Sequence, residues 1–232
     1  MQAVRLIFPN QLFKESPLFS HAGDIYLVEE QLFFTQYNFH QQKIAFHRAA
    51  MQYYQDFLLT KEEKVHYISA QAPEADVRVL IEQLHHKNII TIYLINPVDD
   101  WLLQRIRKSC EKFKMLLHIE DTPMFLNTEA ALGSFFKASK KKFFQTEFYK
   151  QERINRRVLV DDLNNPMGGK WSFDEENRKK YPKGKKVVSI DFPKETKYSA
   201  EAKDYVKLHF TKNIGQRSNC FCTWRRGIQQ SH

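Results

Sequence analysis

Short apolar runs recur through the first half of this chain, and the intervals between them are filled by amphipathic stretches. The runs are VRLIF (4–8), IYLVE (25–29), KVHYISA (64–70), IITIYLI (89–95) and MLLHI (115–119). Each has the length of a strand and is nearly continuous in apolar residues, the pattern of strands buried on both faces. Between the second and third runs, a helical pattern extends from about Tyr37 to Leu59, with Ile44, Met51, Tyr54 and Leu58 on one face. Pro73 opens the next helix, which places Val77, Leu80, Ile81 and Leu84 on one side. Pro97 opens another, carrying Leu102, Leu103, Ile106 and Phe113. Strands alternating with helices at this spacing predict a five-stranded, doubly wound parallel α/β sheet of Rossmann-like type over about residues 1–125, with the first strand internal.

Beyond residue 125 the pattern changes. KASKKKFFQTEFYKQERINRR (137–157) predicts a basic helix. NNPMGG, GGKWSFDEENRKKYP (168–182) and YPKGKK read as loops. SAEAKDYVKLHF (199–210) predicts a last helix capped by Ser199. Residues 126–232 are therefore expected to be a basic helix followed by a connector. Charge divides along similar lines: residues 1–136 hold 13 Lys/Arg against 16 Asp/Glu, and residues 137–232 hold 23 against 11. Such asymmetry points to a polyanion-facing segment, and equally to a solvated lysine-rich tail. The nucleic-acid candidates are Lys140, Lys141, Lys142, Arg178, Lys179 and Lys180, for weak and sequence-independent contact with DNA.

Other classes are disfavoured. No stretch approaches the roughly 18 apolar residues of a membrane span, and the start has no basic leader, so a cytoplasmic protein without membrane contact is expected. There is no G-x-G-x-x-G, no P-loop and no recognisable nucleophile–base set, so no catalytic residue is assigned. Cys220 and Cys222 form a lone C-x-C, Cys110 stands alone, and no metal site is assigned. His40 and His47 lie seven apart with no carboxylate to complete a metal triad, which favours packing or surface roles.

Doubly wound sheets bind ligands beyond the carboxyl ends of their strands. Here those ends are FPNQL (8–12) and EEQLFFTQYNFH (29–40). Pro9, Asn10 and Gln11 are therefore the candidate binding residues of the first loop, with Glu30, Phe33 and Phe34 as the opposite wall. The same residues also suit a plain turn and a loop packed on a helix.

FPNQLF, LVEEQLFFTQYNFHQQKIAFHRAAM and above all PMGGKWSFDEENRKKYP resemble the amino-terminal portion of the bacterial photolyase-related proteins, the iron–sulfur (6-4) photolyases and cryptochromes. The resemblance runs in order from about residue 4 to 216. It implies an α/β domain holding an antenna chromophore, 6,7-dimethyl-8-ribityllumazine in this subgroup. It also implies a connector to a helical domain that holds FAD, a four-cysteine iron–sulfur cluster and the DNA lesion. The sequence departs from the family at Phe34, where relatives can carry a carboxylate, and after about Arg217. The expectation is that the helical FAD domain and the cluster cysteines are missing from it. The expectation is the antenna-type half of a DNA-repair lyase or cryptochrome, truncated and inactive alone, with a separate chain as a source of the FAD half. The rival expectations are a stand-alone module binding a nucleotide-like ligand or nucleic acid, and a vestigial inactive product.

Overall fold

The computed structural model describes residues 2–137, 139–177, 179–186 and 194–215, apart from the side chains of Glu176 and Asn177. Strands β1 (Ala3–Ile7), β2 (Asp24–Val28), β3 (Val65–Ile68), β4 (Thr91–Ile95) and β5 (Leu116–Glu120) pair in parallel throughout, in the order β3-β2-β1-β4-β5. This is the doubly wound sheet expected from the apolar runs, with β1 at its centre. The helices are α1 (Gln31–Phe34), α2 (Gln41–Thr60), α3 (Val77–His86), α4 (Asp100–Lys112), α5 (Glu129–Leu132), α6 (Gln145–Asn155), α7 (Asp174–Asn177) and α8 (Lys197–His209). No helix among the described residues is long and apolar enough to cross a membrane.

Strand side chains alternate between two cores, because successive residues of a strand point to opposite faces. Ile7, Ile25, Leu27 and Ile95 pack with Ile44, Met51, Tyr54 and Leu58 of α2 and with Ala202 and Val206 of α8. Val4, Leu6, Val28, Ile92 and Leu94 pack with Leu80, Ile81 and Leu84 of α3 and with Leu102 and Ile106 of α4. The central strand also buries a charge. Arg5 is 4% exposed, donates from Nε to the Gly23 carbonyl at 2.9 Å, and pairs with Glu63. Gly23 has φ +122°, and a Cβ there would run into the Ala3 carbonyl, so the turn into β2 requires glycine.

Several element boundaries differ from expectation. Pro73 opens a short 3-10 turn (Pro73–Ala75) instead of the helix itself. Asp76 caps α3, accepting from the Arg78 N–H at 3.0 Å. Pro97 lies in the preceding turn, and Asp99 caps α4 through the Leu102 N–H at 2.9 Å. Thr196, not Ser199, is the N-cap of α8, and Ser199 completes a reciprocal capping box from inside the helix. The basic helix is shorter than 137–157, because only Gln145–Asn155 is helical.

The described residues group into two compact units. One comprises residues 2–126 and 194–215, and the other lies within residues 127–191. In the first unit, α8 lies along α2. Lys197 Nζ and Tyr198 Oη both reach Asp56 Oδ2, at 2.8 and 2.6 Å. At the other end, Gln41 Nε2 donates to the Asn213 carbonyl at 2.9 Å and Asn213 Nδ2 to the Phe39 carbonyl at 2.9 Å.

Candidate functional site

Strand order reverses between β1 and β4, so the loops after these two strands flank the crevice where such sheets take ligands. The loops are joined by the amides of FPNQL. Gln11 is fully buried. Its Nε2 donates to the Ile95 carbonyl at 2.8 Å, and its Oε1 accepts from the Phe8 N–H at 3.4 Å. Asn10 Nδ2 donates to the Pro97 carbonyl at 3.2 Å. These bonds fix the loop before any ligand arrives. The Gln11 amide is used up in holding the fold, and Pro9 is buried. One group remains: Asn10 Oδ1 is buried without a hydrogen-bond partner.

Glu30 stands at the end of β2 as the N-cap of α1, accepting from the Leu32 N–H at 2.5 Å. Its other oxygen, Oε1, is buried without a hydrogen-bond partner, with Arg105 Nη1 4.0 Å away. Burial raises this carboxyl to a pKa of about 7, against the opposing pull of the Leu32 N–H, Arg105 and the Val77 N–H. Phe33 is half-buried, whereas Phe34 is fully buried in the α2-side core. Phe34 therefore packs as core and offers no exposed wall. Both rings approach His47, with centroids 6.0 Å away in each case. Burial, with Lys43 nearby, depresses the His47 imidazole to a pKa of about 4.

The residue next to Glu30 organises a network that no motif marked. Glu29 is fully buried and accepts from Arg48 Nη1 at 2.9 Å, Tyr67 Oη at 2.5 Å, the Ala70 N–H at 2.7 Å and Tyr205 Oη at 3.3 Å. Arg48 also holds Glu201 through Nε and Nη2, and its guanidinium lies 3.6 Å from the Tyr205 ring centroid. One buried carboxylate thus connects the end of β2, the loop after β3, α2 and α8. The available signal was a charged pair, Glu29-Glu30, directly following a strand. Glu29 is satisfied on all sides, while Glu30 Oε1 makes no hydrogen bond.

A family model for "Deoxyribodipyrimidine photo-lyase-related protein" matches residues 5–221. The chain belongs to that family. An uncharacterised protein of Acanthamoeba polyphaga mimivirus is 32% identical over 194 residues, covering 78% of this chain and 96% of that protein. A (6-4) photolyase of Agrobacterium fabrum is 24% identical over 192 residues, covering 78% of this chain and 36% of that protein. The photolyase-related chain thus spans about a third of that enzyme's length.

In this photolyase-related protein, the stretch GGKWSFDEENRKKYP belongs to the second unit. Arg153 of α6 is buried there and donates to the carbonyls of Val158 (3.2 Å), Trp171 (3.1 Å) and Leu159, with its guanidinium 5.1 Å from the Trp171 ring centroid. From the stretch, Trp171 contributes its carbonyl and its ring to this local wrap around one arginine. Among the nucleic-acid candidates, Lys140 Nζ lies 3.6 Å from the Phe135 ring centroid. Lys141, Lys142, Lys179 and Lys180 are exposed, and Arg178 lies outside the described residues, as do Cys220 and Cys222. Cys110 is buried, which pushes its thiol up to about 11. Among the described residues, no group of three or more His, Cys, Asp or Glu is placed to hold a metal ion.

Proposed function

We propose that the α/β unit is the antenna-type, ligand-holding unit of a photolyase-related protein, taking a flat heterocycle of the ribityllumazine class at the carboxyl ends of β1, β2 and β4. The observation that carries this reading is a pair of buried acceptors without a hydrogen bond at the ends of adjacent strands: Asn10 Oδ1, and Glu30 Oε1, which has only the Arg105 guanidinium 4.0 Å away. A buried polar atom left unpaired costs about 1–3 kcal/mol, so a ligand supplying donors gains that amount at each. A lumazine fits in kind: its ring carries an imide N–H between two carbonyls, and its ribityl chain carries hydroxyl donors. Near neutral pH the Glu30 carboxyl is poised to accept from such a donor or to donate to a ring carbonyl. Phe34 contributes no stacking surface to this reading. The chain's own residues hold and orient; the reading assigns them no bond-making step. The described residues supply no ligand set for an iron–sulfur cluster, and FAD chemistry is not routed through them. Titration with 6,7-dimethyl-8-ribityllumazine, followed by its near-ultraviolet absorption and fluorescence, should give saturable binding that Asn10→Leu weakens about tenfold. Absence of binding, or binding unchanged by Asn10→Leu, rejects the site.

A second reading, non-specific DNA binding, is favoured by the exposed lysines at 141, 142, 179 and 180, which have no carboxylate partner among the described residues. Such binding is driven by counterion release. A duplex titration at low and high salt should show affinity that collapses with salt, with no preference for ultraviolet-damaged over intact DNA. A damage preference that survives high salt contradicts it.

A further inference from the structure

Helices α3 and α4 lie side by side on one face of the sheet, and their outer surfaces enclose a groove of about 700 Å3. This is within the usual size of a small-molecule site, roughly 300–1,000 Å3. It opens on the outer faces of α3 and α4 and meets the Glu30 side of the proposed ligand site at Arg105, whose Nη1 is 4.0 Å from Glu30 Oε1. Its α4 wall presents Trp101, Arg105, Lys108 and Lys112, and its α3 wall presents Arg78 and Glu82. Spacings of four, three and four residues put the α4 set on one stripe, Arg105 about 6 Å and Lys108 about 10 Å along the axis from Trp101.

The charges in the groove are unevenly compensated. Arg78 is taken up by Asp76, with Nη2 to Oδ2 at 2.5 Å and Nε to Oδ1 at 2.9 Å. Lys108 is exposed and has no carboxylate partner among the described residues, and Lys112 Nζ lies 4.7 Å from the Phe113 ring centroid. Arg105 Nη1 is buried without a hydrogen-bond partner and lies 4.0 Å from Glu30 Oε1. Trp101, the largest apolar side chain of the groove, is 58% exposed. An open indole one helical turn from an under-compensated guanidinium, and two from an unpaired ammonium, offers a stacking surface and then positive charge. A base joined to a phosphate has this same order of parts.

We infer that the α3–α4 groove binds a phosphorylated nucleoside, with the base stacked on Trp101 and the phosphate held over Arg105 and Lys108. The probe is adenosine 5′-monophosphate, titrated into the full chain by calorimetry at low and high salt, with adenosine and inorganic phosphate as partial ligands. Saturable binding is expected, weaker at high salt, weaker for adenosine and competed by phosphate. Trp101→Ala and Lys108→Ala should each weaken it about tenfold, the scale of one lost stacking or charged contact. Both side chains are exposed, so an unchanged thermal transition shows that the variants fold. Asn10→Leu should leave monophosphate binding unchanged, which keeps this site's fate distinct from that of the Asn10 site. The inference is overturned if the monophosphate does not bind, if neither variant weakens it, or if only oligonucleotides bind.

Discussion

Glu29 and Glu30 are neighbours in sequence with opposite fates, and each makes a prediction. Glu29 is ionically paired inside the protein, so removing Arg48 strands a buried carboxylate. Arg48→Ala should cost about 3–5 kcal/mol, read as a lowered urea midpoint, and adding Glu29→Gln should recover part of it. A loss under 1 kcal/mol would show that the network is not what holds this region. Glu30 has its folded pKa raised from 4.5 to about 7 by burial. Below pH 4.5 it is protonated folded or unfolded. Between 4.5 and 7 only the folded state keeps the proton, so its contribution is lost as pH rises through 7, by about 3 kcal/mol in all. Glu30→Gln should therefore be more stable than the parent at pH 8 and closer to it at pH 5. His47, depressed to about 4, acts in the opposite sense, its contribution being lost as pH falls below 6.5. It is common to both proteins, so the difference between them isolates Glu30. Equal pH profiles for the two would contradict the burial argument. The sequence showed these residues only as a polar pair beside aromatics; which one is satisfied depends on Arg48, Tyr67 and Tyr205, distant in sequence.

The five strands and the helices α2, α3 and α4 were legible from periodicity, but the expected burial on both faces holds for the inner strands β1 and β2 and not for the edge strands β3 and β5, which are partly open, Leu116 being 60% exposed. Their starts were less legible. Prolines at 73 and 97 marked the approach to a helix, while the side chains of Asp76 and Asp99 captured the open N–H groups and set the first turn. The position of α8 was not legible at all: its apolar residues Ala202 and Val206 gave a helix, but nothing local says that it lies on α2. Those two side chains are fully buried against the α2-side core. Ala202→Glu should undock α8 while leaving the sheet intact. Hydrogen exchange would show this as lost protection over 197–209 with the amides of β1 and β4 still protected. Retained protection in α8 would mean that its polar anchors at Asp56 and Gln41 suffice without the apolar seam.

At the scale of the molecule, parallel order with β1 central follows from short helical crossovers, and that order creates the reversal beside β1 where the candidate site lies. The residues of the site were partly legible. Asn10 and Glu30 were singled out because they follow strand ends, and each retains one buried acceptor. Gln11 and Phe34 were singled out on the same ground, yet one clasps β4 and the other fills the core, a distinction set by packing and invisible in a linear pattern. The family assignment rests on the match over residues 5–221, and the ligand-holding reading rests on those two acceptors. A crystal structure of the protein soaked with 6,7-dimethyl-8-ribityllumazine tests that reading most directly. The account predicts the ring beyond the ends of β1 and β2, with its polar edge donating to Asn10 Oδ1 and meeting Glu30 Oε1. A ring bound anywhere else, or no bound ring when the loops are open to solvent, contradicts it.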